Sequence, residues 1–254
     1  MNGCAPTDSA ETLRRYARQL VLPQIGHEGQ QKLLASSALV IGAGGLGSAA
    51  LGYLAAAGVG SLGIVEHDRV ELSNLQRQLL FETADIGRPK AQAAKDRLEE
   101  INPDVRVGLH AVRLTPENAT ALVAGYCVVL DGSDNFATRF AVHEACFHAR
   151  IPLVSAAISG FSAQLSTFKA YVGAPHPCYR CLVPEPPERE FSCAQEGIIG
   201  PLAGMLGSMQ ALEAIKELLG IGQSLSGTLL RYDALSGLPR ASALPRAPAC
   251  PLCA

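Results

Sequence analysis

The stretch that decides the fold runs from Ala38 to Lys90 and opens with A-L-V-I-G-A-G-G-L-G-S, residues 38–48. Its first four residues form an apolar run of the length of a buried parallel strand, and an alanine-rich helical segment follows the glycines. The glycines are Gly42, Gly44, Gly45 and Gly47. Because they have no side chains, a ligand's phosphates can approach the backbone, where a helix N-terminus presents free N–H groups. We therefore predict a strand, a glycine turn and a helix that bind a nucleotide.

Polar residues downstream of the glycines indicate which nucleotide binds. A second apolar run, residues 62–65, ends at Glu66, where the acidic residue of a dinucleotide site would hold a ribose hydroxyl. Asn74, Arg77 and Lys90 follow on a loop, a turn and a helix start. Two cations and an amide suit a triphosphate better than a dinucleotide, whose pyrophosphate is already bound by backbone amides. The alternative is that Arg77 and Lys90 are solvated surface charges.

A third apolar run, residues 127–130, leads into D-G-S-D-N, residues 131–135. Ligands of an open parallel sheet bind at the carboxyl ends of its strands, so we expect Asp134 to lie beside the glycine turn. A carboxylate that faces a triphosphate is suited to hold Mg²⁺. The alternative is that Asp131 or Asp134 caps the helix predicted from Phe136 to Ala149.

The overall composition limits the class of protein. The chain has 254 residues, a net charge of −2 and 17% charged residues, so no broad basic surface favours nucleic acid or an anionic membrane. The first residues show neither the basic flank nor the apolar run of a signal peptide, and no segment has the length of a membrane span. We expect a soluble, cytoplasmic protein with no nucleic-acid or membrane partner.

The eight cysteines include two C-x-x-C pairs, Cys178 with Cys181 and Cys250 with Cys253. Two such pairs can supply four thiolates to one structural zinc ion, even from distant parts of the chain. The alternative is a pair of redox dithiols. The sequence disfavours it because neither pair is expected to open a helix after a strand.

Three further cysteines differ in their predicted surroundings. Cys127 and Cys146 fall in apolar segments and are expected in the core, whereas Cys193 lies in a proline-containing loop. A loop thiol is the only one of the three placed to react.

The order of the predicted elements indicates a Rossmann-like α/β fold, with helices on both faces of a nucleotide-binding sheet and further C-terminal strands before a zinc-pinned tail. We expect a single domain over residues 1–254. It comprises N-terminal helices (8–35), the nucleotide-binding core (36–172), a mobile loop (173–197) and a C-terminal part (198–254) with a helix, strands and the zinc tail. Residues 8–20 read as one amphipathic helix with Arg14, Arg15 and Arg18 on its polar face, and pattern alone favours solvated arginines. A strand over 164–171 is expected at the sheet edge, and 228–232 is expected to be the last strand.

The motifs occur together in a recognisable order. They extend from about residue 11 to residue 253. In chain order they are R-R-Y-A-R-Q, G-A-G-G-L-G, L-S-N-L-Q-R-Q, G-R-P-K, D-G-S-D-N, C-Y-R-C, S-C-A-Q-E-G and C-P-L-C. In content and spacing this series resembles the MoeB/ThiF adenylyltransferases, bacterial relatives of the ubiquitin-activating enzymes.

The resemblance implies a homodimer in which each subunit binds ATP and magnesium and receives the Gly-Gly tail of a small ubiquitin-fold sulfur-carrier protein. The terminal carboxylate is adenylated with release of pyrophosphate, and a sulfur donor then yields a thiocarboxylate. By position, the resemblance assigns the nucleotide to the glycine turn, the ribose to Glu66, the phosphates to Asn74, Arg77 and Lys90, magnesium to Asp134 and zinc to the four paired cysteines.

Other assignments of the resemblance are more specific. Arg18 matches an arginine that reaches the phosphates bound by the neighbouring subunit, which replaces the solvated interpretation. Cys193 matches a loop cysteine that some relatives use covalently and others do not need. Glu66 stands where the family usually has aspartate, so a shifted ribose contact is expected. Because no sulfurtransferase domain of the rhodanese type is evident in the chain, the sulfur donor is expected to be a separate protein.

Three other functions would use parts of the same sequence pattern. A nicotinamide-dependent oxidoreductase would use the same glycine turn but needs a proton donor that the sequence does not show. A non-catalytic relative would be expected to lack Arg77, Lys90 or Asp134, and all three are present. A carrier-independent adenylation of a small-molecule or tRNA-borne carboxylate is the nearest alternative.

Overall fold

We describe residues 10–186 and 197–254 in a computed structural model. Within them, eight strands form one sheet in the order β3-β2-β1-β4-β5-β6-β7-β8. The pairs among the first five strands are parallel, and those from β5 to β8 are antiparallel. The strands are β1 (Ser37–Ile41), β2 (Ser61–Val65), β3 (Arg106–His110), β4 (Val128–Asp131), β5 (Leu153–Ser159), β6 (Ser162–Phe168), β7 (Thr228–Asp233) and β8 (Leu238–Ala243).

Helices cover both faces of the sheet, as the sequence predicts. They are α1 (Ala10–Arg15), α2 (Ala17–Leu20), α3 (Gly26–Ala35), α4 (Gly45–Ala57), α5 (Lys90–Ile101), α6 (Pro116–Val123), α7 (Phe136–Ala149), α8 (Tyr179–Leu182) and α9 (Gly200–Leu219). Successive residues of a strand point to opposite faces. Val40 of β1 therefore packs in the core formed with α4, α5 and α9, and Leu39 packs in the core formed with α6 and α7.

The position of the ligand site follows from the strand order. The chain leaves β1 towards β2 on one side, and β4 pairs with β1 on the other. This reversal of strand order opens a crevice at the carboxyl ends of β1 and β4. The glycine turn follows β1 and the D-G-S-D-N segment spans the end of β4, so both border the crevice.

The structure corrects one predicted helix, the position of one predicted strand and the number of C-terminal strands. The expected single N-terminal helix is divided into α1 and α2 at Tyr16, whose side chain is buried and whose hydroxyl accepts a 2.8 Å hydrogen bond from Asn102 Nδ2. The strand expected at the edge is β6, which lies between β5 and β7. A further strand, β8, follows β7 and occupies the edge instead.

The structure corrects one of the cysteine predictions. Cys146 is buried as expected, but Cys127 is exposed, because β4 begins one residue later and leaves Cys127 in the preceding turn. Cys178 directly precedes α8, a four-residue helix that contains Cys181. A 3₁₀ turn (Ala170–Val172) and a loop, not a strand, come before this helix, so the expectation that neither pair opens a helix after a strand holds.

Among the described residues, no helix combines the length and the apolar character needed to span a membrane.

Candidate nucleotide-binding site

A cleft of about 600 Å³ lies at the carboxyl ends of the parallel strands. Its volume is within the range typical of small-molecule sites. The structure brings eight of the residues singled out from the sequence to its walls: Gly42, Gly44, Gly45, Glu66, Asn74, Arg77, Lys90 and Asp134. Residues separated by more than 90 positions thus border one space, as expected for loops at one edge of a parallel sheet.

The glycine turn is held in a shape that only glycine allows at two positions. Gly42 has a φ of 85°, in the left-handed region that side chains disfavour. Gly47 does not line the cleft, but a Cβ there would overlap the carbonyl oxygen of Gly42. Gly44 directly precedes α4. The first N–H groups of this helix therefore lie at the cleft, where they can bind an anion.

Glu66 is buried, and its carboxylate holds the turn together. Oε2 accepts a 3.0 Å hydrogen bond from the backbone N–H of Ala43, and Oε1 accepts bonds of 2.8 and 2.9 Å from those of His67 and Asp68. A carboxylate has about four acceptor positions, so one remains for a ligand hydroxyl. The sequence suggested only the ribose role. The structure adds that Glu66 joins the ends of β1 and β2.

The basic wall of the cleft is formed by Lys90 and Arg77. Lys90 is only 6% exposed, and its Nζ lies 3.5 Å from a carboxylate oxygen of Asp68. Arg77 donates from Nη1 to the carbonyl oxygen of Ser73 at 3.0 Å. Asn74 Oδ1 accepts from the backbone N–H of Glu71, which fixes the loop that carries Arg77. Burial argues against the interpretation of Lys90 as a solvated surface charge, since an ammonium loses hydration when it is buried.

The two aspartates of D-G-S-D-N, at the acidic wall of the cleft, have different surroundings. Asp131 is fully buried and accepts hydrogen bonds from Ser133 Oγ at 2.6 Å and Ser155 Oγ at 3.2 Å. Asp134 is exposed in the cleft, and its Oδ1 accepts a long hydrogen bond of 3.5 Å from Asn135 Nδ2. Neither aspartate caps α7, because Asn135 accepts from the backbone N–H of Thr138 at 2.9 Å. The capping alternative is therefore wrong for both.

One expected cation, Arg18, is not brought to this cleft. Arg18 is exposed on α2 and is not among the residues that line the cleft of its own chain. Cys193 lies outside the described residues. The structure also adds Asp68, Arg113 and Arg139 to the walls. Asp68 could have been found from its position two residues beyond Glu66, and Arg139 from its place in the first turns of α7.

The two cysteine pairs converge near the C-terminus. The Sγ atoms of Cys178 and Cys250 are 3.4 Å apart, those of Cys178 and Cys181 are 3.8 Å apart, and those of Cys181 and Cys253 are 3.5 Å apart. All four Sγ atoms lie within 4.8 Å of one another. Tetrahedral Zn–S bonds of about 2.3 Å place neighbouring sulfurs roughly 3.8 Å apart. The quartet therefore fits a structural zinc ion.

The fold and the cleft define a class, a nucleotide-binding α/β protein with its ligand site at the switch point of a parallel sheet. Comparison with known proteins identifies the family. The sequence profile of the ThiF family matches residues 16–252. The chain belongs to the ThiF family, which confirms the resemblance drawn from its motifs.

Two characterised relatives align over most of their length. The chain is 50% identical over 247 residues to the sulfur carrier protein adenylyltransferase of Thermus thermophilus, covering 96% of this chain and 91% of that protein. It is 47% identical over 239 residues to the sulfur carrier protein ThiS adenylyltransferase of Escherichia coli, covering 94% of each. A crystal structure of E. coli MccB with ATP superposes with a TM-score of 0.82 at 22% identity, covering 94% of this chain and 74% of that chain. This last likeness is one of fold.

Proposed function

We propose that the protein adenylates the C-terminal glycine carboxylate of a small ubiquitin-fold sulfur-carrier protein at the expense of ATP. The observation that carries the proposal is the convergence of the glycine turn, two cations and Asp134 on one cleft. Relatives at 47–50% identity that are named sulfur carrier adenylyltransferases support it.

The reaction joins two anions, and the cleft is built to offset their repulsion. A carboxylate oxygen of the carrier attacks the α-phosphorus of ATP. The bond from that phosphorus to the bridging oxygen breaks, and pyrophosphate leaves with the electron pair. Negative charge grows on the phosphoryl oxygens, so fixed cations contribute most when they are already in place. Lys90 and Arg77 supply these cations, and the N-terminus of α4 supplies N–H groups.

We assign the remaining contacts from the geometry of the walls. Glu66 has an acceptor position left for the ribose, and Asn74 lies beside Arg77 near the phosphates. Asp134 points its carboxylate into the cleft and would hold Mg²⁺, which offsets phosphate charge when bound. The cysteine quartet would hold zinc and join the C-terminal tail to α8.

We further propose that the active form is a homodimer. Gly45 of α4 lies beside Ala203 of α9, and Ala49 lies beside Gly207, so the two helices run side by side in the same direction. Helix α4 contains no charged residue. Because the helices are parallel, Tyr53 of α4 and Leu212 of α9 lie at the same height along them. Each of these large side chains is 60% exposed. A helix without charged residues that presents a large exposed side chain is typical of a permanent interface.

The homodimer gives Arg18 a site to act on. We propose that Arg18 reaches the phosphates bound by the neighbouring subunit. Mixing Arg18→Ala with Asp134→Ala subunits should restore about a quarter of wild-type activity, because half of the dimers are mixed and each has one complete site. No recovery, in mixtures shown by native mass spectrometry to contain mixed dimers, would refute action in trans.

Three further points complete the proposal. We place the protein in the cytoplasm, where the free thiols of the quartet would remain reduced and able to bind zinc. We also propose that a separate protein donates the sulfur, and that Cys193 takes part only after adenylation. Cys193→Ser should then retain pyrophosphate exchange and lose only sulfur transfer.

The central experiment measures carrier-dependent exchange of labelled pyrophosphate into ATP. Wild-type protein should exchange label only when a small carrier that ends in Gly-Gly is present. Asp134→Asn should reduce exchange at least a hundredfold, and Asp104→Asn, at an exposed aspartate that does not line the cleft, should have no effect. Exchange driven by a small carboxylic acid without any carrier would refute the proposed substrate.

A further inference from the structure

Helix α7 carries the acidic wall of the cleft at its N-terminal end. Asn135 caps this helix, and Arg139 in its first turns donates from Nη2 to the carbonyl oxygen of Ser133 at 3.0 Å. Asp134 lies between Ser133 and Asn135, which these two bonds tie to the helix. A shift of α7 therefore shifts Asp134 relative to the glycine turn.

Tyr179 packs against the middle of the same helix, and it lies between Cys178 and Cys181 of the quartet. Tyr179 is buried, and its ring makes edge contacts with Phe140 of α7 at 5.4 Å and Phe168 of β6 at 5.5 Å between centroids. It also packs against His143 at 5.9 Å. Such aromatic contacts have a preferred geometry, so they fix orientation as well as burying area.

The next residue adds a charged contact to the same helix. Arg180 donates from Nε and Nη2 to Oε1 of Glu144, at 3.1 and 2.7 Å. Its guanidinium lies 4.6 Å from the centre of the Phe140 ring. The ion pair and the cation–π contact act on adjacent turns of α7, so they resist both sliding and rotation of the helix.

The cysteine quartet holds the segment that carries both Tyr179 and Arg180. Tyr179 and Arg180 form the centre of C-Y-R-C, so the sulfur cluster holds them from both sides. The quartet also includes Cys250 and Cys253 from the end of the chain. A metal bound there would fix the backbone of α8 against the C-terminal tail.

We propose that Tyr179 and Arg180 form a clamp through which the cysteine quartet sets the position of α7 and hence of Asp134. They are positioning residues that touch no substrate. The clamp itself is a statement about the fold, and only its effect on catalysis rests on the proposed function.

Hydrogen–deuterium exchange of the zinc-loaded protein tests the clamp without any substrate. Arg180→Ala should accelerate amide exchange of residues 131–140 about fivefold, as expected from loss of one partly exposed ion pair and one cation–π contact. Tyr179→Leu should do the same. Tyr179→Phe keeps the ring contacts with Phe140 and Phe168 and should accelerate exchange less than Tyr179→Leu.

A matched control is available on another helix. Arg97 of α5 pairs with Glu100 at 2.9 Å on the surface. Arg97→Ala removes a comparable ion pair and should leave exchange of residues 131–140 unchanged. All variants are compared at full zinc occupancy, checked by metal analysis.

The outcomes separate the clamp from the proposed function. Unchanged exchange over 131–140 in both Arg180→Ala and Tyr179→Leu would overturn the clamp, and so would equal acceleration over residues 90–101. Binding of ATP to Arg180→Ala should weaken about threefold or more with Mg²⁺ present and stay the same in Mg²⁺-free buffer that leaves the zinc bound, because the clamp acts through Asp134. If the wild-type protein binds no ATP, the proposed function fails while the exchange result still decides the clamp.

Discussion

His143 offers a sharp test of how α7 is buried. Its side chain is 2% exposed and packs against the rings of Phe168 and Tyr179. Among the described residues, none makes a hydrogen bond to its Nε2. Burial, together with the positive charges of Arg180 and His148, lowers the pKa of His143 from 6.5 to about 3. The imidazole is therefore neutral in the native state.

The sign and size of the effect follow from proton linkage. Between pH 6.5 and pH 3 the unfolded chain binds a proton at this residue and the folded chain does not, so stability is lost as the pH falls through this range. Each pH unit well inside the range corresponds to about 1.4 kcal/mol. Because proton binding is only partial near 6.5, the loss between pH 7 and pH 5.5 is about 1.3 kcal/mol.

The perturbation is His143→Leu, which keeps nearly the same volume in an apolar pocket and removes the titrating group. Urea unfolding of both zinc-loaded proteins at pH 7.0, 6.0 and 5.5 gives the difference in their unfolding free energies. Contributions of the cysteine quartet and other groups cancel in that difference. The variant should gain about 1.3 kcal/mol relative to wild type over this range. A difference that stays constant with pH would show that His143 is not buried in its neutral form.

Three other substitutions test the cleft and the quartet. Lys90→Met should weaken ATP binding about tenfold to a hundredfold, the value of one lost charged contact to phosphate. Lys95→Met, on the same helix but outside the cleft, should not weaken it. Equal affinities of wild type and Lys90→Met by calorimetry would remove Lys90 from the site. Gly47→Ala places a Cβ against the carbonyl oxygen of the turn's first glycine and should abolish nucleotide binding. Gly204→Ala, where no atom lies within 4 Å of the added Cβ, should bind nucleotide normally. Normal binding by Gly47→Ala would contradict the tight turn. Cys250→Ser should lower the zinc content below one per chain and the melting temperature by about 5 °C or more, and a variant with full zinc and unchanged melting would exclude the quartet as a structural site.

The glycine turn shows how much of the site could be predicted from sequence. A buried strand, closely spaced glycines and a helix are each encoded by neighbouring residues, so β1, α4 and the cleft between them follow from local pattern. Lys90 and Asp134 could be placed near the turn by the general rule for parallel sheets. The network around Glu66 could not, because it depends on which backbone N–H groups the folded turn presents to the carboxylate.

The C-terminal strands show where local pattern fails. Strand β8 has the sequence L-P-R-A-S-A, in which only R-A-S-A alternates polar and apolar residues, and all six of its residues are exposed. It is a strand because its backbone pairs with β7, from Asp233 opposite Leu238 to Thr228 opposite Ala243. The choice of Asn135 as the cap of α7 was also undetermined, since both aspartates before it have suitable side chains.

The sequence by itself determined the fold class, the nucleotide turn and the two C-x-x-C pairs, because each of these is encoded by residues close together in the chain. Only the tertiary structure decided that Cys178 meets Cys250 across 72 positions, that Tyr179 and Arg180 lie against α7, and that Lys90 is buried beside Asp68. These contacts join distant segments, and their geometry is set by how the two faces of the sheet are packed rather than by any local pattern.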